Sequence, residues 1–302
     1  MGIQYLTYKE INKTKWDDCI STSPNGLIYS YSFYLDTMTR QWDALVLNDY
    51  EAVLPLTWNK KYGICYLYQP PFTACLGVTG KTVTPEMLTI FLNAIPKKFV
   101  YWDIYLNHGN YFTLTAFNLY QRRNYILPLD VPYERLYESF KENIQRNIKK
   151  CRQLQCEIRK NISVGAVIEL AKEQSKSFSS LSDDDFGRIE KLYDQLYKKQ
   201  KAITYGVFSN QELVASAAFF FSHKRAYYIL VGNHPNGKTI GASHALINTF
   251  IEDHAGKDLI LDFEGSDINS LAFFYSSFGA REEMYAAIKI NRLPFYLKWF
   301  KK

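Results

Sequence analysis

The sequence predicts an α/β (α+β) fold of two halves, each a mixed, mostly antiparallel sheet flanked by helices. Three observations predict it. From Tyr227 to Ala280 the pattern reads strand, glycine loop, helix, strand, carboxylate turn, helix. Short runs rich in β-branched and aromatic residues alternate with helical patterns along the rest of the chain. The element order of the C-terminal part (strand, helices, meander, helix, strand) also recurs in residues 1–130, without a residue-level repeat. A chain of 302 residues is long enough for two ordinary domains.

The first half opens with a strand, Ile3 to Tyr8, and helices at Glu10 to Ser21 and Tyr31 to Arg40. Strands follow at Ala44 to Leu47, Ala52 to Trp58 and Ile64 to Tyr68, the first two joined by a turn at Asn48-Asp49. Two prolines and a glycine make Gln69 to Gly77 a loop. Thr84, with Pro85 and Glu86 behind it, starts a helix. Strands at Val100 to Leu106 and Asn124 to Leu129 close the half. The boundary is expected between Pro128 and Pro132, giving halves of residues 1–130 and 131–302.

Helices fill much of Tyr133 to Tyr197: one broken near Glu142, one from Asn143 to Leu154, then Val164 to Phe178 and Asp183 to Lys199. A meander covers Ile203 to Phe208, Leu213 to Phe221 and Arg225 to Asn233. After the loop come a helix from Ala242, a strand through Asp262, a helix from Asn269 to Gly279 and a strand from Tyr285 to Ile290. Ser266 or Asp267 is the expected cap of the helix from Asn269, and the terminal FYLKWFKK reads as a short aromatic helix.

Composition removes several classes. Apolar residues make up 47% and charged residues 22%, ordinary values for a globular protein. The N-terminus lacks the apolar core of a signal peptide, Leu6 stands where a myristoylation site needs Ser or Thr, and no apolar run is long enough to span a bilayer. Five cysteines without a CxxC pair fit reduced thiols, hence a cytoplasmic location. Five histidines without ligand spacing argue against a metal. There is no G-x-S-x-G elbow and no complete Walker loop.

The motifs around the loop carry a resemblance. Lys238-Thr239-Ile240-Gly241-Ala242-Ser243 is similar to the pyrophosphate loop Gln/Arg-x-x-Gly-x-Gly/Ala of the acyl-CoA N-acyltransferase (GNAT) superfamily, with Lys238 and Ser243 substituted. Tyr275-Ser-Ser-Phe-Gly279-Ala280 resembles the closing Tyr-x-x-x-Gly-Phe, keeping Tyr and Gly. The strings DFEGS and FFYSSFGA resemble the Fem-like branch, which is built from two GNAT-like halves. The resemblance implies N-acyl transfer from an acyl-CoA to a small-molecule or peptide amine by direct attack. For the Fem-like branch it implies aminoacyl transfer from tRNA to a cell-wall precursor. A third reading is a non-catalytic binding protein that keeps the fold.

Candidate site residues follow. Helix first turns leave backbone N–H groups for an anion, and glycine allows close approach, so Gly237, Lys238, Thr239, Ile240, Gly241, Ala242, Ser243 and His244 form the expected donor site. The competing reading is a plain turn before a helix. Asp262 and Glu264, two apart at a strand end, share a face if the strand stays regular and could accept the amine proton. Alternatively Asp262 ties down its loop. The resemblance gives Tyr275 the role of protonating the leaving group; spacing alone puts it in a core stripe with Leu271, Phe274 and Phe278. The acceptor is expected near Tyr66, Tyr68, Gln69 and Phe72, in a pocket between the halves.

The net charge of +6 is concentrated: Lys141 to Lys160 holds seven basic and two acidic residues. Arg146, Lys149 and Lys150 share a helix face that suits a tRNA backbone or, equally, water. No DNA partner is expected.

Overall fold

The computed structural model describes residues 2–176, 181–265 and 267–294. The chain divides into two compact units, Met1–Arg122 with Met284–Lys302, and Arg123–Glu283.

The first unit contains β1 (Ile3–Leu6), α1 (Lys13–Thr22), α2 (Ser32–Met38), β2 (Gln41–Leu47), β3 (Ala52–Lys61), β4 (Ile64–Tyr68), the short β5 (Thr79–Gly80), α3 (Pro85–Ala94) and β6 (Phe99–Tyr105). Neighbouring strands β1 to β4 pair antiparallel, and β4 pairs parallel with β6 through the α3 crossover. Asn12 caps α1, its Oδ1 accepting from the Lys15 N–H at 3.1 Å. Thr84 caps α3 as predicted, accepting from the Met87 N–H at 3.2 Å with Pro85 in first position. Leu88, Phe91 and Leu92 of α3 pack against Leu54, Leu67, Trp102 and Ile104 of the sheet, which sets the core.

The second unit runs through β7 (Tyr120–Pro128), α4 (Tyr133–Glu138), α5 (Glu142–Gln153), β8 (Glu157–Lys160), α6 (Val164–Ser175), α7 (Asp183–Tyr197), β9 (Ala202–Ser209), β10 (Glu212–Ser222), β11 (Arg225–Asn233), α8 (Pro235–Ile240), α9 (Ala242–His254), β12 (Ile260–Asp262) and α10 (Asn269–Ser276). Strands β8 to β11 pair antiparallel in turn, β11 pairs parallel with β12, and β12 pairs antiparallel with β7. Phe219 and Phe250 stack at 3.9 Å in its core. The apolar face of α5 (Ile144, Ile148, Cys151) joins that core, and its basic face points outward.

β13 (Arg281–Asn291) completes the first unit by pairing antiparallel with β6 over Ala287–Asn291. Both units therefore have one topology: an edge strand, two helices, three antiparallel strands, a helix, a parallel strand and a final antiparallel strand. The final strands are exchanged. β7 follows β6 in the chain but serves β12, whereas β13 follows β12 but serves β6. Hence the division falls inside β7 and β13 rather than at Pro128 to Pro132, and Met284–Lys302 counts with the first unit instead of the second half.

Other differences are local. β8 lies in the gap left between the helices expected at Asn143 to Leu154 and Val164 to Phe178, where no strand was expected, and α8 replaces much of the expected loop. Phe178, Ser266 and the terminal FYLKWFKK lie outside the described residues.

Candidate active site

The site is organised by two neighbouring strands that part. β11 pairs with β12 only at Arg225, Ala226 and Tyr227, opposite Ile260, Leu261 and Asp262. From Tyr228 to Asn233 it continues with β10 alone. On that β10 side Ala218 pairs with Leu230 and Phe219 with Tyr228, so Ile229 is the extra residue of a β-bulge. Bulges leave a residue out of the ladder and re-aim the strand. The result is a backbone edge with no strand partner among the described residues, beyond the carboxyl end of β12, where open α/β sheets receive ligands.

Asp262, at the end of β12, is not free to act as a base. It is 4% exposed. Its Oδ2 pairs with Arg225 Nη1 at 2.9 Å, and its Oδ1 accepts from Asn124 Nδ2 at 2.8 Å and from the Glu264 N–H at 3.0 Å. Arg225, 7% exposed, also grips Glu283 at 2.6 and 2.8 Å. A buried carboxylate in such a network holds structure, because both its oxygens already accept hydrogen bonds and one is paired with a buried cation. The two carboxylates do not share a regular strand face. The strand ends at Asp262, and Glu264 adopts left-handed geometry with φ +67°, followed by Gly265 at +82°.

Glu264 is half-buried and close to Tyr275. Burial and then the Glu264 charge push the Tyr275 phenol well above its usual range. The Tyr275 ring stacks on Phe263 at 4.6 Å, and Phe263 meets the Tyr228 ring edge-on at 6.1 Å. Burial, then Tyr275, likewise raises the Tyr228 phenol. Neither hydroxyl has a hydrogen-bond partner among the described residues. Tyr228 adjoins the bulge and was not foreseen from sequence, where it was one of many strand aromatics.

The expected donor loop has a different shape. Gly237 is buried inside α8, where an added Cβ would lie 2.1 Å from the Val214 carbonyl oxygen. Gly241, at φ +76°, joins α8 to α9, and an added Cβ there would lie 2.6 Å from the Asn147 carbonyl oxygen. Both glycines thus serve close packing, on β10 and on α5. Ala242 is buried too, and Ser243 Oγ donates to Asn233 Oδ1. The first backbone bond of α9 runs from the Ala245 N–H to Gly241 O at 3.1 Å. The N–H groups of Ala242, Ser243 and His244 therefore precede the helical ladder.

Lys238 and Thr239 are exposed and Ile240 is half-buried. The His244 ring is edge-on to Phe274 at 5.0 Å, its Nδ1 is buried without a partner among the described residues, and burial lowers its pKa to about 4. On α5, Arg146, Lys149 and Lys150 are exposed, and Lys150 Nζ donates to Thr239 O at 2.8 Å. Cations thus stand beside the start of α9.

In the first unit, Tyr66 and Tyr68 of β4 lie beside Tyr101 and Asp103 of β6. Tyr101 OH donates to Asp103 Oδ2 at 3.3 Å. Gln69 shapes its own loop: Oε1 accepts from the Tyr105 N–H at 3.0 Å, and Nε2 donates to Thr73 O at 2.8 Å. Phe72 sits at φ +53°, its carbonyl accepting from the Tyr34 hydroxyl. Asp103 was missed because its neighbours are assembled by strand pairing. Among the described residues no group of three His, Cys, Asp or Glu side chains is placed to hold a metal ion, and no helix is long and apolar enough to cross a membrane.

No protein-family model and no curated protein matches the sequence. Solved structures do match in fold. FemX is 14% identical, with 95% of this chain and 97% of that chain covered at a TM-score of 0.65. L-PGS from Bacillus licheniformis is 11% identical, with 95% and 94% covered at 0.55. A tandem GNAT protein from the clavulanic acid biosynthesis pathway is 9% identical, with 97% and 99% covered at 0.54. This chain has a Fem-like tandem GNAT fold.

Proposed function

We propose that this protein transfers an acyl or aminoacyl group from a phosphate-bearing donor to an amine. The observation that carries the reading is the edge of β11 beyond Tyr227, which has no second strand partner among the described residues, is bulged at Ile229 and has Tyr228, Glu264 and Tyr275 near it. The donor carbonyl lies along that edge, where a backbone N–H fixed in advance stabilises the oxyanion. The amine attacks the carbonyl carbon. Glu264, which lies close to the Tyr275 phenol, accepts the amine proton. The Tyr275 O–H supplies a proton to the leaving oxygen or sulfur.

Two donors have support. The filled positions around Gly237 and Gly241, with the exposed Arg146 and Lys149, favour a polyanion such as an aminoacyl-tRNA. The raised phenol agrees: a weak acid is better matched to a departing alkoxide than to a thiolate, which is the weaker base. The N–H groups of Ser243 and His244, with Lys238, support the alternative of an acyl-CoA.

The test is the melting midpoint with acetyl-CoA, desulfo-CoA and tRNA, each at low and moderate salt, since a ligand of the native state raises the midpoint with concentration. A salt-sensitive shift with tRNA that Arg146→Glu and Lys149→Glu abolish supports aminoacyl transfer. A shift with both CoA ligands that survives moderate salt supports acyl-CoA. No shift with any of them leaves a binding protein that kept the fold.

A further inference from the structure

The five cysteines are scattered in sequence, but the end of α5 brings two of them together. The helix closes in a Schellman turn. The Gln155 N–H donates to Arg152 O at 3.0 Å, the Cys156 N–H donates to Cys151 O at 3.2 Å, and Gln155 takes left-handed geometry at φ +53°. In this motif the outer N–H bonds back five residues, and the side chains of those two outer positions meet. The contact is usually between two apolar residues. Here both positions are cysteine, buried Cys151 on the helix and half-exposed Cys156 beyond it. A direct backbone bond between two residues keeps their α-carbons near the separation of about 6 Å or less that a disulfide spans. Burial and then the neighbouring Cys156 sulfur push the Cys151 thiol up to about 12, which agrees with two sulfurs in contact.

We infer that Cys151 and Cys156 are a redox-active pair, converted to one intramolecular disulfide by a small-molecule disulfide such as oxidised glutathione. The half-exposed Cys156 reacts first. Its thiolate attacks one sulfur of the oxidant, releasing one glutathione thiolate and leaving a mixed disulfide. The Cys151 sulfur, on losing its proton, attacks the Cys156 sulfur and releases the second glutathione. Two protein thiols lose two electrons and two protons, and one small disulfide takes up both. The raised Cys151 thiol makes ring closure the slow step, faster as pH rises. The bond would staple the last turn of the helix whose Lys150 holds Thr239 at the α8–α9 junction.

The experiment is oxidation of the full chain with oxidised glutathione, alkylation of remaining thiols, and peptide mass spectrometry. The expected product is a peptide holding Cys151 and Cys156, unalkylated and lighter by two hydrogens, with Cys19 and Cys75 alkylated after denaturation. Cys151→Ser should stop at a stable glutathione adduct on Cys156, and Cys156→Ser should leave Cys151 unmodified. A wild-type protein that accumulates the Cys156 adduct without closing the ring, or that alkylates at both positions, would overturn the inference.

Discussion

Asp262 and Glu264 stand two residues apart, yet their surroundings give them opposite work. Asp262 is buried against Arg225 and bonded at both oxygens, whereas Glu264 is half-buried and close to Tyr275. Asp262→Asn removes one anion from a buried pair, so stability should fall by about 3 kcal/mol, measured by urea unfolding. Glu264→Gln should leave stability within about 0.5 kcal/mol of wild type and lower turnover about 10²- to 10⁴-fold. Equal turnover in Glu264→Gln would remove the carboxylate from the reaction. The spacing of the two carboxylates was legible in the sequence, but their division of labour was not, because Arg225 reaches Asp262 only through strand pairing. His244 carries a second residue-level prediction. Its pKa of about 4 lies below the unfolded value near 6.5, so the unfolded chain binds more protons between those limits. Stability is then complete above about pH 6.5 and falls by about 2–3 kcal/mol as pH drops toward 4. His254, also lowered by burial, has the same sign. Replacing His244 by Phe should flatten part of the slope in unfolding experiments across that window. An unchanged slope would show that the ring is not held neutral.

At the scale of elements, the α8–α9 junction shows how one motif supports two meanings. Glycines before a helix are what an anion site needs, and also what close packing needs. Three-dimensional neighbours decide between them, and the sequence does not display the Val214 carbonyl or Asn147 beside these glycines. Pro235 at the first position of α8 was a helix start in plain view, but its cap is His234, outside the usual Ser, Thr, Asp and Asn. By contrast α5 was legible, since its apolar and basic residues separate at helical spacing with no long-range partner needed. Packing predicts the cost of change. Gly237→Ala drives a methyl against backbone that cannot swing aside, and should destabilise by about 1–3 kcal/mol or more. Gly187, exposed within α7 with nothing within 4 Å of an added Cβ, should gain about 0.4–1 kcal/mol as Ala. Thermal melts of the two variants should move in opposite directions. A neutral Gly237→Ala would mean that the junction is open enough for a phosphate to approach.

For the whole molecule, element order suggested two related halves, and each unit does carry the same strand sequence. What sequence could not reveal was the exchange of the final strands, because nothing in the composition of β7 or β13 states which sheet each one joins. The exchange predicts how the chain tolerates cutting. A fragment of residues 1–130 lacks β13, whose Ala286 and Ile288 are 1% exposed in the core of the first unit, and β6 would present an unpaired edge. A fragment of residues 131–302 lacks β7, so β12 loses Ile126 and Leu127, each 4% exposed. Neither fragment should unfold cooperatively alone, and both should aggregate on gel filtration, although the cut falls in a proline-flanked surface stretch that looks like a linker. Co-expression should restore a soluble complex, since each fragment then carries the strand that the other needs. If either fragment alone showed a sharp melt and stayed monomeric, its missing strand would be dispensable and the two halves would be independent domains in the ordinary sense.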